Sequence, residues 1–380
     1  MQIQSVRPYP MCVDQRYFFN VVVETDSGLT GLGEGGVTWR EAAQAGFVEA
    51  LTPLLLGQDP FRTEHLWQVM FRSGFFPPGP IGLAAISAID IALWDIKAQA
   101  LGVPLYQLLG GLVRDSVDCY THIAGHDQRE LIASAQARVA EGWRFLRFDP
   151  RPEADQITFE PRAAVDRCVA DFTALREAVG SDIGLCVDVH TRLDTVDAID
   201  LCRRLETLRP YFVEDPIRSE NPASFRKLAQ HVAVPLAAGE QFATKWAFRE
   251  LIEEELIDFA RIDLCIVGGL TEALKVAGWC ETHSIRIAPH NPLGPVATAA
   301  CLHLDLACSQ FGVQELPRAP GTYLQDLFPL QVPFLAGKLL PPAHPGLGVQ
   351  MNEAVAKRCA LVGSGNAPQF RRRDGSFINW

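Results

Sequence analysis

The sequence has no excess of basic residues and no long apolar run. Its 34 lysines and arginines are outnumbered by 45 aspartates and glutamates, which gives a formal net charge of −11 at pH 7. This balance argues against a nucleic-acid partner, and the short run Arg371-Arg372-Arg373 is typical of a solvated turn. Since no 18 consecutive residues are apolar, the sequence predicts no membrane-spanning helix.

The sequence also has no paired cysteine motifs, and its first residues lack the pattern of a secretion signal. Its N-terminal segment MQIQSVRPYP has no basic stretch followed by an apolar one, so no signal peptide is expected. The ten cysteines lie in apolar segments and form no CxxC pair. In a chain of this length, that pattern is typical of reduced core cysteines rather than of a disulfide framework or a zinc site. We therefore expect a cytoplasmic protein that binds neither nucleic acid nor membrane.

The length of the chain and its changes of period predict two domains. The chain has 380 residues, 48% of them hydrophobic, which is enough to bury a large core. Residues 1–40 have the pattern of a three-stranded meander, and residues 38–109 change to a helical period. The glycine pair in QLLGGLVRD indicates a boundary. We predict an α+β capping domain over residues 1–112, to which a tail of about residues 350–380 returns.

After this boundary, short apolar strands alternate with amphipathic helices, which is the pattern of an α/β fold with a parallel sheet. The eight predicted strands lie at about 117–122, 145–149, 184–188, 211–214, 235–239, 258–263, 285–289 and 311–315. Eight such strands can close into a modified (β/α)8 barrel of the TIM type, which we place at residues 113–349. Functional side chains in such barrels lie at the C-terminal ends of the strands.

Three acidic residues end three successive predicted strands. They are Asp188, Glu214 and Glu240, and each is separated from the next by 26 residues. Any one of them alone could be a helix N-cap. Because successive strand ends lie side by side at the barrel mouth, we expect the three carboxylates to converge. Hard oxygen ligands with room for water and substrate suit Mg²⁺, or Mn²⁺, rather than zinc.

Two histidines lie at strand ends close to these acids. His190 follows Asp188 by two residues, so both side chains share one face of the strand, and His190 could reach a substrate held on the metal. Asp263 and His290 end consecutive strands. A carboxylate that accepts the imidazole N–H raises the basicity of the ring, which makes His290 a candidate general base. The alternatives are a satisfied polar histidine and a purely structural hydrogen bond.

Five more polar residues are candidates for contact with a substrate or its intermediate. Glu315 ends the eighth strand and could hydrogen-bond to a developing oxyanion or to a substrate hydroxyl. Arg147 stays protonated and suits a carboxylate or hydroxyl, while Asp149 is either a substrate contact or the partner of Arg147. His122 ends the first strand and could line the mouth. Arg16 lies in a polar loop between the first two strands, which is a candidate flap.

These groups favour one kind of reaction. A proton next to a carboxylate is hard to remove because the product is a dianionic enediolate, and a divalent cation can neutralise the charge as it develops. With His290 as base and His190 as acid, we expect β-elimination of a hydroxyl. Racemisation or epimerisation would need an acid/base group on the second strand, where only Asp149 is available.

The motifs, in this order, resemble the mandelate-racemase-like branch of the enolase superfamily along the whole chain. Within that branch, four stretches resemble the sugar-acid dehydratases of the D-galactonate dehydratase type. They are LWQVMFRSGF, ALWDIKAQALGVPLYQLLGGLVRD, IAPHNPLGP and HPGLGVQMNEA. The resemblance implies that the three carboxylates bind Mg²⁺ and that His290, with Asp263, takes the C2 proton of an acid sugar. It also implies that His190 protonates the leaving C3 hydroxyl, and that the protein is a homo-oligomer.

Other stretches resemble the D-mannonate dehydratases, among them DVHTRL, EDPIRSENPASFRKL and DGSFINW. The tyrosine base expected in those enzymes has no counterpart in PRPEADQITFEPRAA, and the second strand lacks the K-x-K of the racemases. The resemblance therefore implies dehydration of an aldonic acid such as D-galactonate or D-gluconate to a 2-keto-3-deoxy acid. The alternatives are a D-mannonate dehydratase, an acid-sugar epimerase or racemase, and a low-activity barrel that only binds a sugar acid.

Overall fold

The computed structural model describes residues 1–363 and 365–379. Its N-terminal part is an antiparallel sheet whose strands pair in sequence order. These strands are β1 (Ile3–Val13), β2 (Arg16–Thr25) and β3 (Thr30–Gly35). Helices α1 (Glu41–Leu55) and α3 (Gly79–Ala100) pack on this sheet, and α2 (Thr63–Phe71) packs against these two helices. This part is the α+β cap that the sequence predicts.

Helix α3 lies directly on β3 because small residues allow a close approach. A Cβ atom added at Gly33 would stand 1.7 Å from the carbonyl oxygen of Ala88, so only glycine fits there. The helix is long and apolar enough to cross a membrane, although the sequence contains no unbroken apolar run of that length. Most of its residues are buried against β3, α1 and α9, as in the core helix of a globular protein.

The second part is a parallel barrel in which all eight predicted strands form, most of them shorter than predicted. The strands are β4 (Val117–His122), β5 (Phe145–Phe148), β6 (Gly184–Asp188), β7 (Phe212–Glu214), β8 (Leu236–Ala238), β9 (Phe259–Ala260), β10 (Arg286–Ile287) and β11 (Gln314–Glu315). The helices between them are α4 (Gln128–Ala140), α5 (Pro161–Val179), α6 (Thr195–Leu205), α7 (Ser224–Ala229), α8 (Lys245–Glu253), α9 (Gly269–Thr282) and α10 (Pro295–Ala307). The barrel fold class is confirmed.

The barrel closes through its last strand. Strand β11 pairs with β4 in parallel, and the residues just before it bridge to β10 between Phe311 and Ile287. The chain then leaves the barrel without adding an eighth α-helix before residue 353 in the described part. A short hairpin of β12 (Phe334–Leu335) and β13 (Lys338–Leu339) pairs instead with the start of β4.

The C-terminal segment divides between the two parts. Helix α11 (Glu353–Arg358) and the residues after it lie along β1, where the Leu361 N–H donates to the carbonyl of Pro10. The hairpin of β14 (Phe370–Arg371) and β15 (Phe377–Ile378) contacts barrel loops instead. The sequence predicts that the whole tail packs on the cap, but its end lies on the barrel instead, because Phe370 packs against the loop after β5. Trp380, which belongs to the same prediction, is outside the described residues.

Candidate active site

Three carboxylates converge at the C-terminal mouth of the barrel. Asp188 and Glu214 are paired across β6 and β7 by the strand register, and Glu240 follows β8 by two residues. Oxygen atoms from all three lie within 4.8 Å of one another. The register of the parallel strands brings these ends together, as the regular spacing predicted.

The carboxylates fit a hard divalent cation. Within the described part of the chain, Oε2 of buried Glu214 has no hydrogen-bond partner. A buried carboxylate oxygen without a partner destabilises the fold unless a cation or a water molecule binds to it. Burial raises the pKa of Glu214; Arg261 opposes this, and neighbouring Glu240 and Glu315 add to it. A bound cation would relieve the repulsion among the carboxylates.

Arg147 already supplies a positive charge at this position. Its guanidinium contacts Asp188, and its Nη1 lies 2.8 Å from Oδ1 of Asp149. The sequence left Asp149 as either a substrate contact or the partner of Arg147, and the two form an ion pair. Asp149, Asp188 and His190 are also near enough to share a cation. A metal at the three carboxylates must therefore compete with Arg147 for Asp188.

His290 forms the predicted pair with Asp263 and faces the carboxylates. Its Nδ1 lies 2.7 Å from Oδ2 of Asp263, and its Nε2 lies 3.4 Å from Oε2 of Glu240. Because an ionised carboxylate only accepts, Nδ1 carries a proton and Nε2 is the position that can take one from a substrate. Burial alone would lower the pKa of His290, but Glu240, Glu315 and Asp263 outweigh it and raise the pKa to about 10. The ring is then protonated at neutral pH, whereas a cation held by Glu240 would lower this pKa and leave Nε2 free to act as a base.

His190 lies between two arginines. Nη2 of Arg192 is 3.0 Å from its Nδ1, and its Nε2 is 3.0 Å from Oδ2 of Asp188 and 2.8 Å from Nη2 of Arg147. Both ring nitrogens face guanidinium donors, and a neutral imidazole can accept at only one of them. Because only Nε2 also lies beside an acceptor, Asp188, we assign acceptance from Arg192 to Nδ1 and the proton of the neutral ring to Nε2. Burial lowers the pKa of His190, Asp149 raises it, and the two arginines lower it further.

Glu315 is held by other charged groups. Its Oε1 lies 2.7 Å from Nε2 of His122, and its Oε2 accepts from Arg261 at 2.6 Å and from the Asn291 N–H at 2.9 Å. Burial raises its pKa, but Arg261, His290 and His122 outweigh this and hold the pKa well below its usual range. An ionised Glu315 can accept from a substrate hydroxyl, whereas donation to an oxyanion would require its protonated form.

Two arginines of the site were not predicted from the sequence. Arg261 is fully buried and bridges Glu214 and Glu315. Arg192 is also buried and reaches His190. Each lies two residues from a predicted site residue, Asp263 and His190 respectively. For Arg261, which directly follows β9, this alternating spacing is the signal that could have identified it, whereas the turn at His190 and Thr191 removes that signal for Arg192.

Most of the candidate residues line one cavity of about 780 Å³ between the barrel mouth and the cap, whereas buried Asp188, Glu214 and Asp263 are not among its lining residues. The sequence predicted Arg16 in the loop between β1 and β2, but it is the first residue of β2 and donates across the cavity to the carbonyl of Pro292, 3.0 Å away. The other predicted residues that line it are His122, Arg147, Asp149, His190, Glu240, His290 and Glu315. A cavity of about 820 Å³ lies elsewhere, bordered by the starts of β5, β6 and β10, and includes none of the predicted site residues.

Comparisons with known proteins agree with this architecture. Residues 4–110 match the mandelate racemase / muconate lactonizing enzyme N-terminal domain, and residues 130–355 match the enolase C-terminal domain-like family. A D-galactonate dehydratase of Ralstonia pickettii is 38% identical and covers 94% of this chain and 95% of its own length. A D-mannonate dehydratase of Caulobacter sp. strain K31 is 36% identical, with 96% of both chains covered.

A solved structure shares the whole fold. It is an enolase from Pantoea ananatis with bound D-gluconate and Mg, with a TM-score of 0.93 and 32% sequence identity. The similarity covers 100% of this chain and 99% of that one.

Proposed function

Because the chain belongs to the mandelate racemase / muconate lactonizing enzyme family of the enolase superfamily, we propose that it dehydrates an aldonic acid such as D-galactonate or D-gluconate with Mg²⁺. It is a hydro-lyase of the acid-sugar dehydratase class. The product we propose is a 2-keto-3-deoxy acid. The relatives that act on D-galactonate and the structural neighbour with D-gluconate and Mg support this substrate class and metal.

The observation that carries the proposal is the placement of the two histidines. His190 follows β6 and His290 follows β10, and these strands are four positions apart in an eight-stranded barrel. The two residues therefore reach the cavity from opposite walls, with Glu214 and Glu240 on the strands between them. A base and an acid on opposite sides of a substrate favour anti elimination, in which the proton and the hydroxyl leave from opposite faces.

The first step is removal of the C2 proton. Asp263 holds the His290 ring by its Nδ1–H, so that Nε2 faces the cavity and accepts the proton as the C2–H bond breaks. Mg²⁺, held by Asp188, Glu214 and Glu240, would neutralise the charge that develops on the substrate carboxylate. The electron pair from the C2–H bond moves into the enediolate.

The second step is loss of the C3 hydroxyl. His190 gives a proton to the leaving oxygen, the C3–O bond breaks, and water departs. The resulting enol takes up a proton at C3, loses the proton of its C2 hydroxyl and becomes the 2-keto-3-deoxy acid, so the overall change is loss of one water. Arg147, His122 and Glu315 line the cavity and would bind hydroxyls of the substrate, while Arg16 would close over it.

The experiment that tests this proposal is a screen of the purified protein with Mg²⁺ against a library of acid sugars, read out as 2-keto-3-deoxy product. We expect turnover of D-galactonate or D-gluconate that chelation abolishes and added Mg²⁺ restores. Turnover of D-mannonate alone would favour the second candidate function, which the 36% identical Caulobacter relative supports. Metal binding without turnover of any acid sugar would favour a barrel that only binds.

Several further properties belong to the same proposal. We propose that Mn²⁺ can replace Mg²⁺, because both prefer oxygen ligands. A cytoplasmic location is consistent with ten free cysteines. We also propose a homo-oligomer, and a domain boundary near residue 112.

A further inference from the structure

The loop that carries His190 has an unfavourable backbone. His190 and Thr191 have φ values of 50° and 57°, in the left-handed region that non-glycine residues rarely adopt. Thr191 is β-branched, which makes this conformation especially costly. Such a backbone persists only where surrounding contacts enforce it. Two of these contacts come from the barrel itself. The Thr191 N–H donates to the carbonyl of Asp215, and the His190 N–H donates to the side chain of Asp188.

Arg192 fixes the imidazole of His190. Its Nη2 donates to Nδ1 of His190 at 3.0 Å, and its Nη1 donates to the carbonyl of Pro150 at 3.2 Å. This orientation turns Nε2 of His190 away from Arg192 and towards Asp188. The direction of the His190 ring therefore depends on where the guanidinium of Arg192 lies.

The guanidinium is held by two aromatic rings. Its Cζ lies 4.8 Å from the ring centre of Phe370 and 5.5 Å from that of Phe159. Phe370 is the first residue of β14, and the second residue, Arg371, ties this strand to the loop after β5. The Arg371 N–H donates to the carbonyl of Ile157 at 3.0 Å, and the Arg371 carbonyl accepts from the Phe159 N–H at 2.9 Å. A cation between two rings keeps its favourable energy only while both rings stay in place.

The C-terminal hairpin reaches the same loop at a second point. Nδ2 of Asn379 donates to Oγ1 of Thr191 at 2.6 Å, and its Oδ1 accepts from Arg218 at 2.9 Å. The hairpin thus contacts both residues that follow His190. Its other phenylalanine, Phe377, is 67% exposed and packs on Arg371, so the two rings of the hairpin have different surroundings.

We propose that residues 370–379, here called the tail hairpin, position His190 for proton transfer through Arg192 and Thr191. This inference rests on the proposed function, in which His190 is the acid. Phe370, Arg192 and Asn379 are positioning residues, because none of them needs to touch the substrate. The tail hairpin lies on the His190 side of the mouth, so it should affect the second step and leave the His290 step intact.

The two steps can be measured separately on one substrate in D₂O. Exchange at C2, seen as deuterium in recovered substrate, reports the His290 step, and product formation reports the complete reaction.

The test variant is Phe370→Ala, and the matched control is Phe377→Ala. A third variant, Phe370→Tyr, retains a ring against Arg192. We expect Phe370→Ala to lower kcat for dehydration about 10- to 100-fold, with KM and C2 exchange nearly unchanged, because small displacements of a catalytic group have effects of this size. Phe377→Ala and Phe370→Tyr should behave like the wild type.

A general structural role would give a different pattern. Parallel loss of exchange and dehydration in folded Phe370→Ala, or an equal loss in Phe377→Ala, would overturn the inference. If Phe370→Ala does not fold, Asn379→Ala decides, since it removes the side-chain contacts with Thr191 and Arg218 and keeps both rings beside Arg192. A wild-type ratio of exchange to dehydration in that variant would also overturn the inference. Failure of the proposed function is separate, because the wild type would then neither exchange nor dehydrate any acid sugar.

Discussion

Replacement of Arg261 by methionine should be among the most destabilising single changes in the barrel. The guanidinium is fully buried and makes five hydrogen bonds, to Glu214, Glu315, Tyr120 and two backbone carbonyls. Methionine keeps much of the volume but leaves two buried carboxylates without their shared cation. Removal of one partner of a buried ion pair costs about 3–5 kcal/mol because the remaining charge is unpaired. We expect the free energy of unfolding to fall by that amount in metal-free protein.

The assay is urea-induced unfolding of wild type and Arg261→Met, each with chelator and with Mg²⁺. Without Arg261, Glu214 has lost the cation that competes for its charge, so the variant should bind Mg²⁺ more tightly and recover part of its lost stability when Mg²⁺ is added. Arg261→Lys, which retains the charge, should lose less. A loss below about 1 kcal/mol in metal-free Arg261→Met would refute the reasoning, because it would place the pair in the range of solvent-screened ion pairs.

Three further predictions concern the site and the contact between cap and barrel. His290→Asn should lower C2 proton exchange by about 10²- to 10⁴-fold, the usual contribution of a general base, while a Mg²⁺ titration stays close to wild type; retained exchange would exclude His290 as the base. Glu240→Gln should weaken Mg²⁺ binding and abolish dehydration, and an unchanged metal titration would contradict its assignment as a ligand. Burial lowers the pKa of His303 to about 4, where its ring accepts from the Tyr106 N–H and contacts the carbonyl of Leu347. Since the unfolded chain takes up this proton first as pH falls from about 6.5 to about 4, His303 should remove about 3 kcal/mol of stability across that window. His303→Asn should show a smaller loss between pH 7 and pH 4 in urea unfolding.

The strand-end acids could be predicted because their signal is local and repeated. Asp188, Glu214 and Glu240 each follow a short apolar strand at equal spacing, and a parallel barrel turns equal spacing into proximity. The same reasoning placed His290 next to Asp263, which the structure pairs at 2.7 Å. Where a residue type, a period and a fold all agree, the sequence alone is sufficient to bring the groups together.

The arginines show where such reasoning stops. Arg261 and Arg192 are buried ion-pairing residues, but in the sequence they are ordinary charged residues that would be placed at a surface. Their burial depends on partners from distant parts of the chain, such as Glu315 for Arg261 and Phe370 for Arg192. The position of the tail hairpin could not be read from its sequence either, because short strands without a hydrophobic period do not indicate which surface they will cover.

The ion pair between Arg147 and Asp188 has a consequence for how the enzyme would respond to its surroundings. With the guanidinium in place, one of the three carboxylates is already neutralised, so the barrel can fold before any ion arrives. If the three carboxylates hold Mg²⁺ as proposed, loading would be an exchange of one cation for another, and the apparent affinity for the ion would be lower by the free energy of the displaced contact. Such a site would be only partly loaded when free magnesium is scarce, and its output would follow the supply of the free cation as well as that of the sugar acid.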